Sequence, residues 1–137
     1  MGGDPRVVFL DSDYTGPATF SPNLAGRVFE GSTVTYVALQ LAYHMGFEEV
    51  ILIGVDHAFT SQGRPNATVI SEGSDPDHFS PLYFGKGFRW QLPDLAGSER
   101  AYRLAKRAFE SDGRRVLDAT VGGKLQVFPK VDYHQLF

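Results

Sequence analysis

Cysteine is absent from the 137 residues, which removes disulfides, thiolate metal sites and a cysteine nucleophile from consideration. A basic excess is also missing. Thirteen Lys and Arg stand against sixteen Asp and Glu, a formal charge of −3, so a bulk nucleic-acid binder is not expected. A small basic pocket for a phosphate remains compatible with that balance. No apolar run approaches the roughly 18–20 residues of a membrane helix. Met1-Gly2-Gly3-Asp4-Pro5 lacks the charged head and apolar core of a signal peptide. A cytoplasmic chain with no membrane span and no nucleic-acid partner is therefore expected. Internal repeats and low-complexity tracts are missing too. What is present is an ordinary globular composition, 42% hydrophobic and 21% charged, of a length that suits one domain over residues 1–137. Aromatics reach 13%, and 15 Gly with 8 Pro predict long structured loops beside a packed core.

Along the chain, Arg6–Leu10 reads as a short buried strand stopped by Asp11-Ser12-Asp13. Residues 14–31 read as a long loop. Thr33–Met45 carries Leu and Ala at helical spacing, with Ser32 or Thr33 as cap and Gly46 as stop. Its apolar girth predicts burial on more than one side, with His44 a core histidine. The aliphatic run in Glu49–Gly54 has the pattern of a central parallel strand. Residues 56–93 form a second long loop that holds enough aromatics to pack as a lid. Ser98–Asp112 is a helix turning Ala101, Tyr102, Ala105, Ala108 and Phe109 inward, with a solvated charged face opposite. Arg115–Ala119 is the next strand, followed by a Gly122-Gly123 turn and Leu125–Phe128. The fold class expected is α/β: a three-layer, Rossmann-like half-domain with a short parallel sheet of about three main strands and two main helices. Such a sheet leaves bare edges, to be covered by loops, by a second copy in a homo-oligomer, or by the remainder of a longer chain.

The candidate chemistry sits where strands give way to loops and helices. Gly31-Ser32-Thr33 opens a helix, and free N–H groups, the helix dipole and two hydroxyls there suit a phosphate or carboxylate; an ordinary helix cap is the plainer alternative. It is no P-loop, since no Gly-Lys-Ser/Thr follows a Gly-rich turn. Gly54-Val55-Asp56-His57 leaves the aliphatic strand at its carboxyl end, where open α/β sheets bind ligands. Asp56 and His57 there could orient a substrate hydroxyl, grip a ribose or bind a metal, or could simply serve the loop. His78, among Asp75, Asp77 and several aromatics, is a candidate general base or a loop histidine tied to those carboxylates. No metal-ligand spacing stands out, so a metal site is unknown from sequence. Arg64, Lys86, Arg89 and Lys124 are the loop cations most able to meet a phosphate, with solvated surface charge the plainer reading for any single one.

The run Gly31-Ser32-Thr33-Val34-Thr35-Tyr36, then Met45-Gly46-Phe47-Glu48-Glu49-Val50, then Leu52-Ile53-Gly54-Val55-Asp56-His57 resembles the core motif of the MptE-like family, named for a 6-hydroxymethylpterin diphosphokinase. Asp77-His78-Phe79, Tyr83-Phe84, Glu99, Tyr102, Gly113-Arg114-Arg115 and Ala119–Leu125 extend the resemblance from about residue 18 onward. Family members usually begin with a strand and a Gly-rich turn that residues 1–30 do not contain, so the chain resembles the C-terminal portion of the family domain. The same order of elements is similar, more faintly, to bacterial sialyltransferases. The resemblance implies a nucleotide-dependent transferase acting on a small-molecule acceptor hydroxyl, by diphosphate or glycosyl transfer, or an inactive binding and assembly module that pairs through its sheet edge. The cofactor implied is a nucleotide or nucleotide sugar, with Mg²⁺ where diphosphate is moved. Gly31, Ser32, Thr33, Gly54 and Phe59 would hold the nucleotide, Asp56 and His57 would lie near its sugar, and His78 would be the base.

Overall fold

The computed structural model describes residues 7–59, 63–73 and 85–137. In chain order its elements are β1 (Asp11–Asp13), β2 (Arg27–Phe29), α1 (Val34–His44), β3 (Glu49–Leu52), β4 (Thr68–Ile70), β5 (Arg89–Gln91), α2 (Leu95–Ser111), β6 (Arg115–Asp118) and a 3₁₀ turn at Tyr133–Gln135. The architecture is mixed α/β, with two helices and small sheets.

Helix α2 forms because its apolar residues recur at helical spacing and Asp94 caps it, the carboxylate accepting from Gly97 N at 2.7 Å. Ala101, Tyr102, Ala105 and Phe109 are buried, as the periodicity predicts. Helix α1 begins at Thr33, whose hydroxyl accepts from Thr35 N, and it buries Tyr36, Leu39 and Gln40. These side chains meet Leu52, Val116, Leu125, Val127 and Phe128 in one core. Removing each large aliphatic or aromatic group from water contributes roughly 1.5–3 kcal/mol. Phe20, Tyr43 and Phe109 close one end through edge-on ring contacts 5.1–6.3 Å apart. Buried Gln40 binds α1 to the chain before it: Oε1 accepts from Ser21 N and Phe29 N, and Nε2 donates to Phe29 O at 2.7 Å.

Pairing differs from the expectation of one parallel sheet. Among the described residues there are three two-stranded sheets: β1 parallel to β2, β3 parallel to β6, and β4 antiparallel to β5. Glu49 to Leu52 pair in register with Arg115 to Asp118, so among the described residues the aliphatic strand has one neighbour and not two. The first strand forms at Asp11–Asp13, three residues that were expected to end it, while Val7, Val8 and Phe9 are exposed. Its carboxylates find a cross-strand cation: Arg27 reaches Asp11 and Asp13, both at 3.3 Å. Short strands also arise inside both long loops, at β2 and in the β4–β5 pair. Helix α1 buries one face only, leaving Val34, Leu41 and Met45 exposed, because α2 and β2 pack on the other side. His44 is likewise exposed, its Nδ1 accepting from Leu24 N, and is no core histidine. Leu125, Val127 and Phe128 are buried without a ladder, held in part by Lys106 Nζ on Val127 O at 3.1 Å. No helix among the described residues is long and apolar enough to cross a membrane.

Candidate functional site

Because β3 and β6 run parallel, the segments leaving them emerge on the same side. They are fastened together there. Ala119 N donates to Leu52 O at 2.8 Å, Val55 N to Thr120 Oγ1 at 3.0 Å, and Lys124 N to Asp56 O at 2.8 Å. The anchor underneath is Asp118, fully buried, whose carboxylate accepts from Thr120 N at 2.8 Å and from Lys130 Nζ at 2.6 Å. Residues 54–57 are thus held at the strand end by backbone bonds, with both side chains of Asp56-His57 left for other partners.

The beginnings of both helices meet this strand end. Gly31 and Ser32 adopt left-handed conformations, φ +56° and +63°, turning the chain sharply into Thr33. Gly31 has a packing reason to be glycine, since a Cβ there would collide with the Tyr36 ring and approach Ala101 Cβ to 2.7 Å. Ser98 Oγ lies within hydrogen-bonding reach of Ser32 O and Asp94 O, at 3.2 and 3.0 Å, which ties the first turn of α2 to the turn before α1. Thr33 Oγ1 also lies 3.3 Å from Tyr102 Oη. The Ser32 hydroxyl and the Asp56 carboxylate have no hydrogen-bond partner among the described residues.

Between these segments lies a cavity of about 250 Å³. Its wall includes Ser32, Thr33, Gly54, Asp56, His57 and Phe59, so the helix mouth and the strand exit share one crevice. Thr35, Pro93, Leu95, Ser98 and Tyr102 complete most of the rest. Gly31 faces instead a larger cavity of about 780 Å³, and Ser32 lines both. His57 is held on two sides. Its Nε2 lies 3.2 Å from Glu99 Oε1, and its ring meets Tyr102 edge-on at 6.3 Å. The His57 side chain is only 8% exposed. Glu99 Oε2 in turn accepts from Arg103 Nη2 at 2.7 Å, so one carboxylate joins His57 in the smaller cavity to an arginine on the wall of the larger.

A His paired through one ring nitrogen to a carboxylate is fixed in tautomer, with the other nitrogen left as proton acceptor. Here Nε2–H donating to Glu99 makes Nδ1 the basic atom. Sequence reasoning missed Glu99 and Tyr102 as partners of His57 and Thr33. Their three-residue spacing on α2 puts them on one face, but the facing loop could not be known without the fold. His78, with Asp75 and Asp77, lies outside the described residues. Among the described residues no group of three or more His, Asp or Glu could hold a metal ion, so no protein cage for Mg²⁺ is assigned.

Several residues of this crevice fall in a stretch that is similar to a known family. Residues 3–62 match the family model described as 6-hydroxymethylpterin diphosphokinase MptE-like. The match covers less than half of the chain, and it starts ahead of residue 18 and stops short of α2, unlike the span expected from the motifs. It contains Ser32, Thr33, Gly54, Asp56, His57 and Phe59 together. No curated protein and no solved structure matches the chain.

Proposed function

We propose that the chain is a nucleotide-dependent transferase domain of diphosphokinase type, acting on the hydroxyl of a small-molecule acceptor. The observation that carries this reading is the meeting of Ser32, Thr33, Asp56 and His57 on one cavity, inside the segment that matches the diphosphokinase family model. At about 250 Å³ the cavity suits an acceptor and the reacting phosphate better than a whole nucleotide. The phosphate lies at the Ser32–Thr33 turn, where the amino end of α1 and the hydroxyls favour negative charge. The acceptor hydroxyl lies toward Asp56 and His57.

In the reaction the acceptor oxygen attacks the β-phosphorus of the nucleotide. The bond from that phosphorus to the α–β bridging oxygen breaks, and a nucleoside monophosphate leaves. The acceptor proton passes to His57 Nδ1, and Glu99, a positioning residue, stabilises the imidazolium that forms. Mg²⁺, where required, arrives on the nucleotide's own phosphates.

The test couples binding to turnover. Nucleoside mono-, di- and triphosphates, with and without Mg²⁺, are screened by thermal shift, and nucleoside monophosphate release is measured with a hydroxymethylpterin acceptor. His57→Gln is expected to lower turnover by about 10²–10⁴-fold while leaving nucleotide binding nearly intact. His78→Ala is run in parallel; loss of turnover in that variant alone transfers the base role to His78. The reading fails if no nucleotide at millimolar concentration raises the melting temperature.

A further inference from the structure

We infer that the larger cavity is a seat for a polyphosphate chain, with Arg100, Arg103 and Arg107 as its cationic wall; the inference deepens the transferase reading and rests on it for the source of the phosphates. Residues 100, 103 and 107 recur at helical spacing and so share one face of α2, and all three line this cavity of about 780 Å³. At 1.5 Å rise per residue the row extends about 10 Å. That length suits two or three linked phosphoryl groups, whereas a lone phosphate would engage one end of it. Guanidinium groups are the side chains best shaped for bidentate contacts with phosphate oxygens.

The charges already in the cavity leave the row available. Arg107 has no ion pair among the described residues. Arg100 makes only a long contact among the described residues, 3.9 Å to Asp94, and its side chain is 68% exposed. Arg103 is held by Glu99 but stays 54% exposed. The carboxylates that line the cavity have other donors as well. Asp13 accepts from Thr15 N and Oγ1 at 2.8 Å and meets Arg27. Glu30 accepts from Ser12 Oγ at 2.9 Å, and Asp94 caps α2. Asp13 is held below the usual carboxylate range chiefly by the Thr15 hydroxyl, so it carries its charge while bound to these donors. The Gly31–Ser32 turn lines the same cavity as the row, and Ser32 borders both cavities, so the arginine-lined space adjoins the one that holds Asp56 and His57.

Calorimetric titration with inorganic mono-, di- and triphosphate, beside AMP and ATP, tests the row. Affinity is expected to rise with chain length. Arg107→Gln should weaken inorganic triphosphate by about tenfold and Arg100→Gln/Arg107→Gln by more, with the circular dichroism spectrum unchanged. Arg89→Gln, outside both cavities, should bind as the parent does. Equal affinity for mono- and triphosphate, or an equal loss in Arg89→Gln, overturns the inference; ATP binding that persists undiminished in the double variant does so while leaving the transferase reading intact. If triphosphate binds through the arginines but ATP binds no better than the inorganic chain and no monophosphate is released, the row stands and the transferase reading falls.

Discussion

Adding a single methyl group at two glycines, Gly31 and Gly54, separates packing from backbone strain at the mouth of the smaller cavity. Both residues are left-handed, with φ of +56° and +72°, so alanine at either position costs about 1–2 kcal/mol from the clash of Cβ with the carbonyl. Around Gly54 the added atom meets nothing within 4 Å, and the loss should stop there. At Gly31 it meets the Tyr36 ring, with Cγ at 2.9 Å, and Ala101 Cβ at 2.7 Å. Neither neighbour can yield cheaply. Tyr36 and Ala101 are completely buried, and the Tyr36 hydroxyl is tied to Thr19 O at 2.9 Å. Overpacking of this kind adds about 1–3 kcal/mol, so Gly31→Ala should lose about 3 kcal/mol in total and Gly54→Ala about 1 kcal/mol. Urea unfolding followed by far-ultraviolet circular dichroism measures both, with the slope checked for constancy. If the two variants agree to within about 0.5 kcal/mol, strain alone explains both and the close packing of the Gly31 turn against the core is refuted.

Two further outcomes follow from buried polar groups. Lys130→Met leaves the Asp118 carboxylate without its 2.6 Å partner at full burial; it should cost about 2 kcal/mol, below the usual range for a buried pair because the lysine end is 36% exposed. Lys130→Met combined with Asp118→Asn should recover part of that loss in the same unfolding assay, and no recovery would mean that the pair is not coupled. Burial pushes the Tyr36 phenol above its ordinary value of 10.0, so the folded chain holds that proton more tightly than the unfolded one. Its contribution is therefore complete below pH 10 and declines above it by up to about 1.4 kcal/mol per pH unit. Tyr36→Phe, which loses the bond to Thr19 O, should be about 1 kcal/mol less stable at neutral pH, and the gap should narrow above pH 10. A gap that stays constant across that range would show that Tyr36 ionises alike in both states.

Local signals foretold the helices well and the sheet badly, for a physical reason. Helix α2 could be read because Ala101, Tyr102, Ala105 and Phe109 repeat at the helix period, and that repeat depends only on neighbours in the chain. The stretch Thr33–Met45 was legible as a helix on the same grounds, and so was the turn at Ser32–Thr33 that opens it. Strand pairing depends on partners far along the chain. Val7–Leu10 carries the stronger strand composition, yet pairing begins at Asp11, where Arg27 stands directly across and also reaches Asp13. The extent of α1's burial was overestimated for the same reason, since the amount of surface available to cover it is a property of the fold.

The candidate site divides along the same line. That hydroxyls would lie at a helix mouth and an Asp-His pair at a strand exit follows from the order of residues alone. Their union on one cavity is a tertiary result, made by the parallel pairing of β3 with β6 and by Ser98, Thr120 and Lys124 fastening the loops together. The partnership of His57 with Glu99 spans 42 residues, and the arginines of the charged α2 face share a cavity wall with the Gly31–Ser32 turn. Sequence determined which groups carry charge and where the backbone turns; only folding, which brings distant segments within hydrogen-bonding distance, decided which of those groups face one another.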